Sequence, residues 1–120
     1  MDWWGIALIA LVVLFMLNRM MPTKGVTQMT TAQLNGMLQQ KDKQYIDVRT
    51  PGEYKSRHIP GFKNIPLNEL PAKASQLSKE KEVVVICQSG MRSNQASKLL
   101  KKLGFEKVTN IKGGMSAWES

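Results

Sequence analysis

One cysteine and one histidine in 120 residues remove several chemistries at once. A lone Cys87 cannot close a disulfide within the chain, form a cysteine-x-x-cysteine redox pair or complete a cysteine-rich zinc site. Its thiol is therefore inert, intermolecular or reactive. The absence of internal disulfides agrees with a reducing compartment. Aromatic residues make up only 7% of the chain, and no aromatic-rich RNA-binding signature or zinc-finger spacing accompanies its basic residues. Acidic residues are also few: 9 Asp and Glu against 17 Lys and Arg leave a net charge of +8. The first 24 residues carry only +1 of this (Arg19 and Lys24 against Asp2). The rest is spread over the remainder of the chain, mostly on lysine, and suits anionic small substrates or an anionic membrane surface. No nucleic-acid partner is expected.

The chain divides in three. Residues 3–17 contain no charged side chain and nine Leu, Ile, Val or Phe residues, and the apolar character resumes at Met20 and Met21. As a helix, residues 3–21 would reach about 28 Å, close to the ~30 Å hydrocarbon core. Trp3 and Trp4 suit one interface and Arg19 the other. Asp2 before the run, and Met20, Met21 and Pro22 after it, are the reverse of a cleaved signal peptide. Residues 1–21 are therefore expected to be a single-pass transmembrane or anchor helix, with residues 3–21 in contact with membrane lipid. Arg19 and Lys24 place the rest of the chain on the cytoplasmic face of the cell membrane. Residues 22–25 form a linker and residues 26–120 one domain, of a size that folds without staples.

Within that domain the pattern alternates. Residues 26–29 read as a strand, and residues 30–40 as a helix capped by Thr30 or Thr31 with Leu34, Met37 and Leu38 on one face. Residues 44–48 read as a strand, 50–53 as a turn into a short helix, and Asn64 with Ile65 as a small strand. A helix capped by Asn68 turns Leu70, Ala74 and Leu77 inward. Val83, Val84, Val85 and Ile86 form a continuous apolar run typical of a strand covered on both faces. Residues 92–103 read as a helix burying Ala96, Leu99, Leu100 and Leu103 and ending at Gly104. A strand over 107–111 and a terminal turn or helix over 113–118 complete the chain. Strands alternating with helices imply an α/β sheet with parallel pairing and helices on both faces. Ligands of such sheets bind beyond the carboxyl ends of the strands, where Cys87 falls.

Cys87, Gln88, Ser89, Gly90, Met91, Arg92 and Ser93 join the buried strand to a helix N-terminus. Backbone N–H groups can converge on the sulfur there, Gly90 can take a left-handed conformation, and the helix dipole favours an anion. Such a setting stabilises a thiolate nucleophile.

The pattern Cys87-x-x-Gly90-x-Arg92-Ser93 resembles the active loop of the rhodanese family of sulfurtransferases. Two further stretches, Tyr45-Ile46-Asp47-Val48-Arg49-Thr50-Pro51-Gly52-Glu53-Tyr54 through His58-Ile59-Pro60-Gly61-Phe62, and Asn110-Ile111-Lys112-Gly113-Gly114-Met115-Ser116-Ala117-Trp118, resemble the family's first and closing signatures. The likeness covers residues 26–120 and leaves out the apolar leader. It implies a rhodanese-like three-layer sandwich: a five-stranded mostly parallel sheet with helices on both faces. It also implies a ping-pong reaction in which Cys87 is the catalytic nucleophile. The thiolate takes sulfane sulfur from a small anionic donor such as thiosulfate and passes it to cyanide, a thiol or a protein acceptor. Gln88, Ser89, Gly90, Met91, Arg92 and Ser93 bind substrate, and Arg92 meets the anionic donor. Asp47 and Arg49 brace the loop, and neither cofactor nor metal is called for. Four residues between Cys87 and Arg92, rather than five, suit sulfur better than the tetrahedral phosphate of related phosphatases. His58 is read as a structural hydrogen-bonding residue, and Met115 and Trp118 as packing. The competing reading is a noncatalytic rhodanese-like binding or redox-sensing module at the membrane.

Overall fold

A computed structural model of the chain describes residues 2–20 and 25–118. The linker residues 22–24 lie outside the described residues, as do Met21, which the leader helix was expected to include, and the last two residues of the domain. Helix α1 spans Trp3–Met20. Its side chains from Trp3 to Leu17 are exposed, Trp3 and Trp4 by 87% and 85%. Among the described residues no helix is long and apolar enough to cross a membrane. The transmembrane span expected over residues 1–21 is therefore not confirmed. The 18 residues of α1 cover about 27 Å at 1.5 Å per residue, close to the ~30 Å hydrocarbon core.

The domain begins at Gly25, whose φ of 86° turns the chain into β1 (Val26–Met29). It continues through α2 (Thr31–Asn35), β2 (Gln44–Asp47), α3 (Pro51–Ser56), β3 (Lys63–Asn64), α4 (Leu70–Lys73, flanked by 3-10 turns), β4 (Val83–Ile86), α5 (Met91–Lys102), β5 (Val108–Ile111) and α6 (Gly114–Ala117). The strands form one sheet in the order β1-β5-β4-β2-β3. Every pairing is parallel, so the sheet expected to be mostly parallel is wholly so.

The four residues of β4 are fully buried and alternate between two cores. Val83 and Val85 pack with Leu70, Ala96, Leu100 and Phe105 under α4 and α5. Val84 and Ile86 pack with Leu34, Phe62, Met115 and Trp118 under α2 and α6. A period of two along a strand buried on both faces needs apolar residues at every position, which is why the run is unbroken. Cys87 continues the first set, so the thiol ends the central strand on the α5 side.

Local chemistry sets the helix ends. Thr30 and Thr50 each form a capping box, with Gln33 and Glu53 respectively reaching back to the cap's N–H. Helix α2 stops at Gly36, well before Gln40. The Tyr45 hydroxyl, 3.0 and 2.9 Å from the Met37 and Gln40 carbonyls, gives those groups a partner outside a helix. Leu34 and Met37 are buried as the apolar stripe predicted. Asn68 caps nothing, because it lies inside the 3-10 turn Leu67–Glu69 that precedes α4. Helix α5 ends in a Schellman arrangement: Gly104 N–H donates to the Lys101 carbonyl at 3.1 Å and Phe105 N–H to the Leu100 carbonyl at 3.1 Å, with Gly104 at φ 96°. Leu103, expected inside, is exposed because this turn carries it past the buried face, which Leu100 and Phe105 fill.

Candidate active site

The parallel sheet brings the ends of β2, β4 and β5 to one edge, and three loops meet there. Cys87 leaves β4 at its centre and is 1% exposed. Its sulfur accepts the Gly90 N–H at 2.9 Å and lies 3.3 Å from Ser93 Oγ. Gly90 makes this bond possible: at φ 107° it turns its N–H back toward the strand end, a conformation in which a side chain would be strained. The Ser93 hydroxyl donates to the Gly90 carbonyl at 3.1 Å, so Gly90, Ser93 and the sulfur form one closed set. Ser93 is fully buried, whereas Ser89 and Met91 are exposed at the rim. Cys87 also precedes the N-terminus of α5, whose dipole favours negative charge on the sulfur.

Asp47 and Arg49, at 0% and 2% exposure, form a buried ion pair. The Arg49 guanidinium donates to both carboxylate oxygens at 2.8 to 3.1 Å, to Gln88 Oε1 at 3.3 Å and to the Arg57 carbonyl at 2.6 Å. Hydrogen bonds thus run from the end of β2 through Arg49 to Gln88, the residue after Cys87. Asn64 steadies the same segment by donating from Nδ2 to the Asp47 and Arg49 carbonyls, both at 3.0 Å.

Arg92 does something else. Expected to meet the anionic donor, it forms a two-point ion pair with Glu53 of α3, at 2.7 and 3.0 Å. The hydrogen bonds from Arg92 and from the Thr50 N–H pull the Glu53 carboxyl down to about 2. The same Glu53 contact, with the nearby Cys87 and Asp47, raises the Arg92 guanidinium. Arg92 therefore ties α5 to α3, and its charge is already matched by a carboxylate. His58 bonds through Nδ1 to the Tyr54 carbonyl at 2.8 Å and stacks on the Tyr54 ring at 3.9 Å, a structural role at the end of α3.

Sequence reasoning passed over the third loop. Gly113 and Gly114, at φ 73° and 56°, bend the chain so that Met115 N–H donates to the Cys87 carbonyl at 2.8 Å and Ser116 N–H to the Gln88 carbonyl at 2.9 Å. The Ser116 hydroxyl also donates to the Gln88 carbonyl, at 2.8 Å. Backbone packs on backbone here: a Cβ on Gly114 would lie 2.1 Å from the Cys87 carbonyl oxygen. The glycine doublet of the closing motif was the available signal. Likewise, the position of Glu53 three residues after Thr50 marked a cap but not its second task of holding Arg92.

Beside these loops lies a cleft of about 280 Å³ lined by Arg49, Glu53, Ser56, Arg57, Gln88 and Met115. A buried sulfur held by an N–H at the mouth of a parallel sheet, flanked by a small polar cleft, is an arrangement for a nucleophile meeting a small charged partner. The model of the rhodanese-like domain matches residues 30–120.

The chain belongs to the rhodanese-like domain family.

It is 45% identical over 73 residues to the Bacillus subtilis protein YrkF; the match takes in 61% of this chain but 40% of YrkF, so the chain spans less than half of that relative. It is 30% identical over 92 residues to the thiosulfate sulfurtransferase GlpE of Tolumonas auensis, covering 77% of this chain and 87% of that protein. The human single-domain sulfurtransferase TSTD1 superposes with a TM-score of 0.71 and 29% identity, over 80% of this chain and 100% of that one. GlpE and TSTD1 bear sulfurtransferase names, which supports an enzyme of the rhodanese type, whereas YrkF is named a putative sulfur carrier protein.

Proposed function

We propose that this domain is a sulfurtransferase in which Cys87 carries sulfur as a persulfide. The observation that carries this reading is the Cys87 sulfur at the end of the central strand, accepting the Gly90 N–H in a loop clamped from three sides. The thiolate attacks the outer sulfur of thiosulfate; a new S–S bond forms to Cys87, the donor's S–S bond breaks, and its electron pair leaves with sulfite. The acceptor, cyanide or a thiol, then attacks the outer sulfur of the persulfide and returns Cys87 as thiolate. The Gly90 N–H and the α5 dipole favour the anionic sulfur at both stages. Incubating the full chain in detergent with thiosulfate is expected to add one sulfur to its intact mass. Cyanide removes that sulfur as thiocyanate, and Cys87→Ser abolishes both. A folded wild-type protein that gains no sulfur from thiosulfate or from a persulfide donor sinks the reading.

The near-complete burial of Cys87 favours a second reading, a noncatalytic binding module. Cellular function fully preserved in Cys87→Ser would decide for it.

In the same proposal α1 holds the domain at the cytoplasmic face of the cell membrane. The exposed apolar run from Trp3 to Leu17 supports contact with lipid. Flotation of the full chain with liposomes is the expected outcome; a chain that stays with the soluble fraction refutes it.

A further inference from the structure

The cleft beside the Cys87 loop is lined by two arginines and one carboxylate, and their charges are not equally available. The Arg49 guanidinium is buried against Asp47. Glu53 is matched by Arg92, which lies outside the lining of this cleft. Arg57 is exposed, and its Nη2 donates at 2.8 Å to the Trp118 carbonyl, a neutral group. Among the described residues no carboxylate lies within ion-pair distance of Arg57. With Asp47 and Arg92 included, the groups around the cleft sum to one positive charge, and the unmatched member is Arg57.

Its position is also built in. Arg57 closes α3 in an extended conformation, φ −166° and ψ 131°. Its carbonyl accepts from Arg49, and Arg49 holds Gln88, the residue after the nucleophile. The backbone of Arg57 is thereby fixed to the Cys87 loop through one side chain, while its own guanidinium keeps donors beyond the one used on Trp118. At about 280 Å³ the cleft is at the small end of ligand sites, the size for a compact ion.

We infer that Arg57, and not Arg92, is the anchor for the anionic end of the sulfur donor, holding a sulfonate-type group in this cleft with the sulfane sulfur directed past Gln88 to Cys87. This deepens the sulfurtransferase reading and rests on it. Arg92 serves as a positioning residue, keeping the loop attached to α3 through Glu53. The leaving sulfite departs from the same anchor, so Arg57 acts on donor binding in the first half-reaction and not on a neutral acceptor in the second.

Two measurements on the full chain in detergent separate the possibilities. In thiosulfate:cyanide kinetics, Arg57→Gln is expected to raise the thiosulfate KM about tenfold, the loss of one charge-assisted contact, with kcat within about twofold, and Arg57→Lys to recover most of the loss. Arg92→Gln, by loosening the loop, is expected to lower kcat with less effect on KM. Sulfate, which cannot react, is the second probe: its titration should shift the Gln88 and Met115 amide resonances in the wild type and in Arg92→Gln, and at least about tenfold more weakly in Arg57→Gln. Sulfate bound equally by wild type and Arg57→Gln, or lost in Arg92→Gln alone, overturns the assignment. A wild type that accepts no sulfur but still binds sulfate through Arg57 keeps the anion site and removes the sulfurtransferase reading.

Discussion

Replacing Gly114 with alanine tests how the Cys87 loop is held. The new Cβ would lie 2.1 Å from the Cys87 carbonyl oxygen and 2.9 Å from the carbonyl carbons of Cys87 and Gln88, all backbone atoms that cannot swing aside as a side chain end can. The residue sits at φ 56°, where a side chain costs roughly 1–2 kcal/mol. Forcing an extra methyl into a filled space adds about 1–3 kcal/mol. A total near 3 kcal/mol lowers Tm by roughly 12–24 °C for a domain of this size. If the loop yields instead, it yields at Cys87 and Gln88, breaking the bonds from the Met115 and Ser116 N–H groups, and a shift of about 1 Å costs on the order of a hundredfold in turnover. Thermal denaturation and thiocyanate formation would be measured together. Gly52→Ala is the control: nothing lies within 4 Å of its Cβ position, inside α3, and the change is expected to be neutral or stabilising by up to about 1 kcal/mol. A Gly114→Ala protein with Tm within about 3 °C of wild type and activity within about twofold would refute the reasoning.

Other outcomes follow from the same geometry. Asp47→Asn leaves the Arg49 guanidinium buried without its carboxylate and should cost about 3–5 kcal/mol in urea denaturation, while the Asp47→Leu, Arg49→Met pair should regain much of that stability but not activity, since Gln88 loses its brace. The Glu53 carboxyl is depressed from 4.5 to about 2, so its stabilisation is present above about pH 4.5 and lost as pH falls toward 2. Both partners are a third exposed, which keeps the effect small, and Glu53→Gln should flatten that part of the urea midpoint against pH. With Cys87 1% exposed, a bulky aromatic disulfide should modify the native thiol at least about tenfold more slowly than in urea; equal rates would refute the buried placement.

Periodicity and local chemistry carried much of the fold. The unbroken run Val83–Ile86 demanded a strand with two covered faces, and it has them. Glycine at 104 ended α5 where a left-handed residue was required. Elements whose ends depend on distant partners were read less well. The helix expected through Gln40 gives way at Gly36, where the Tyr45 hydroxyl is placed to donate to the Met37 and Gln40 carbonyls, and Asn68 falls within a 3-10 turn. The leader was legible as an apolar helix, and it forms one over Trp3–Met20.

The site divides in the same way. Cys87, Gly90 and the helix that follows are neighbours in the chain, so the sequence by itself determined a cysteine at a strand end, a left-handed glycine beside it and the direction of the dipole. Which charge Arg92 answers, which arginine is left open to the cleft, and why Gly114 tolerates no side chain were decided only by the tertiary structure. Glu53, Arg57 and Gly114 reach the Cys87 loop from positions 34, 30 and 27 residues away along the chain. Their roles arise when the parallel sheet lines up the ends of β2, β4 and β5. Pairing of charges and contact between backbones depend on distances in space, and residue spacing along one strand or helix contains no record of them.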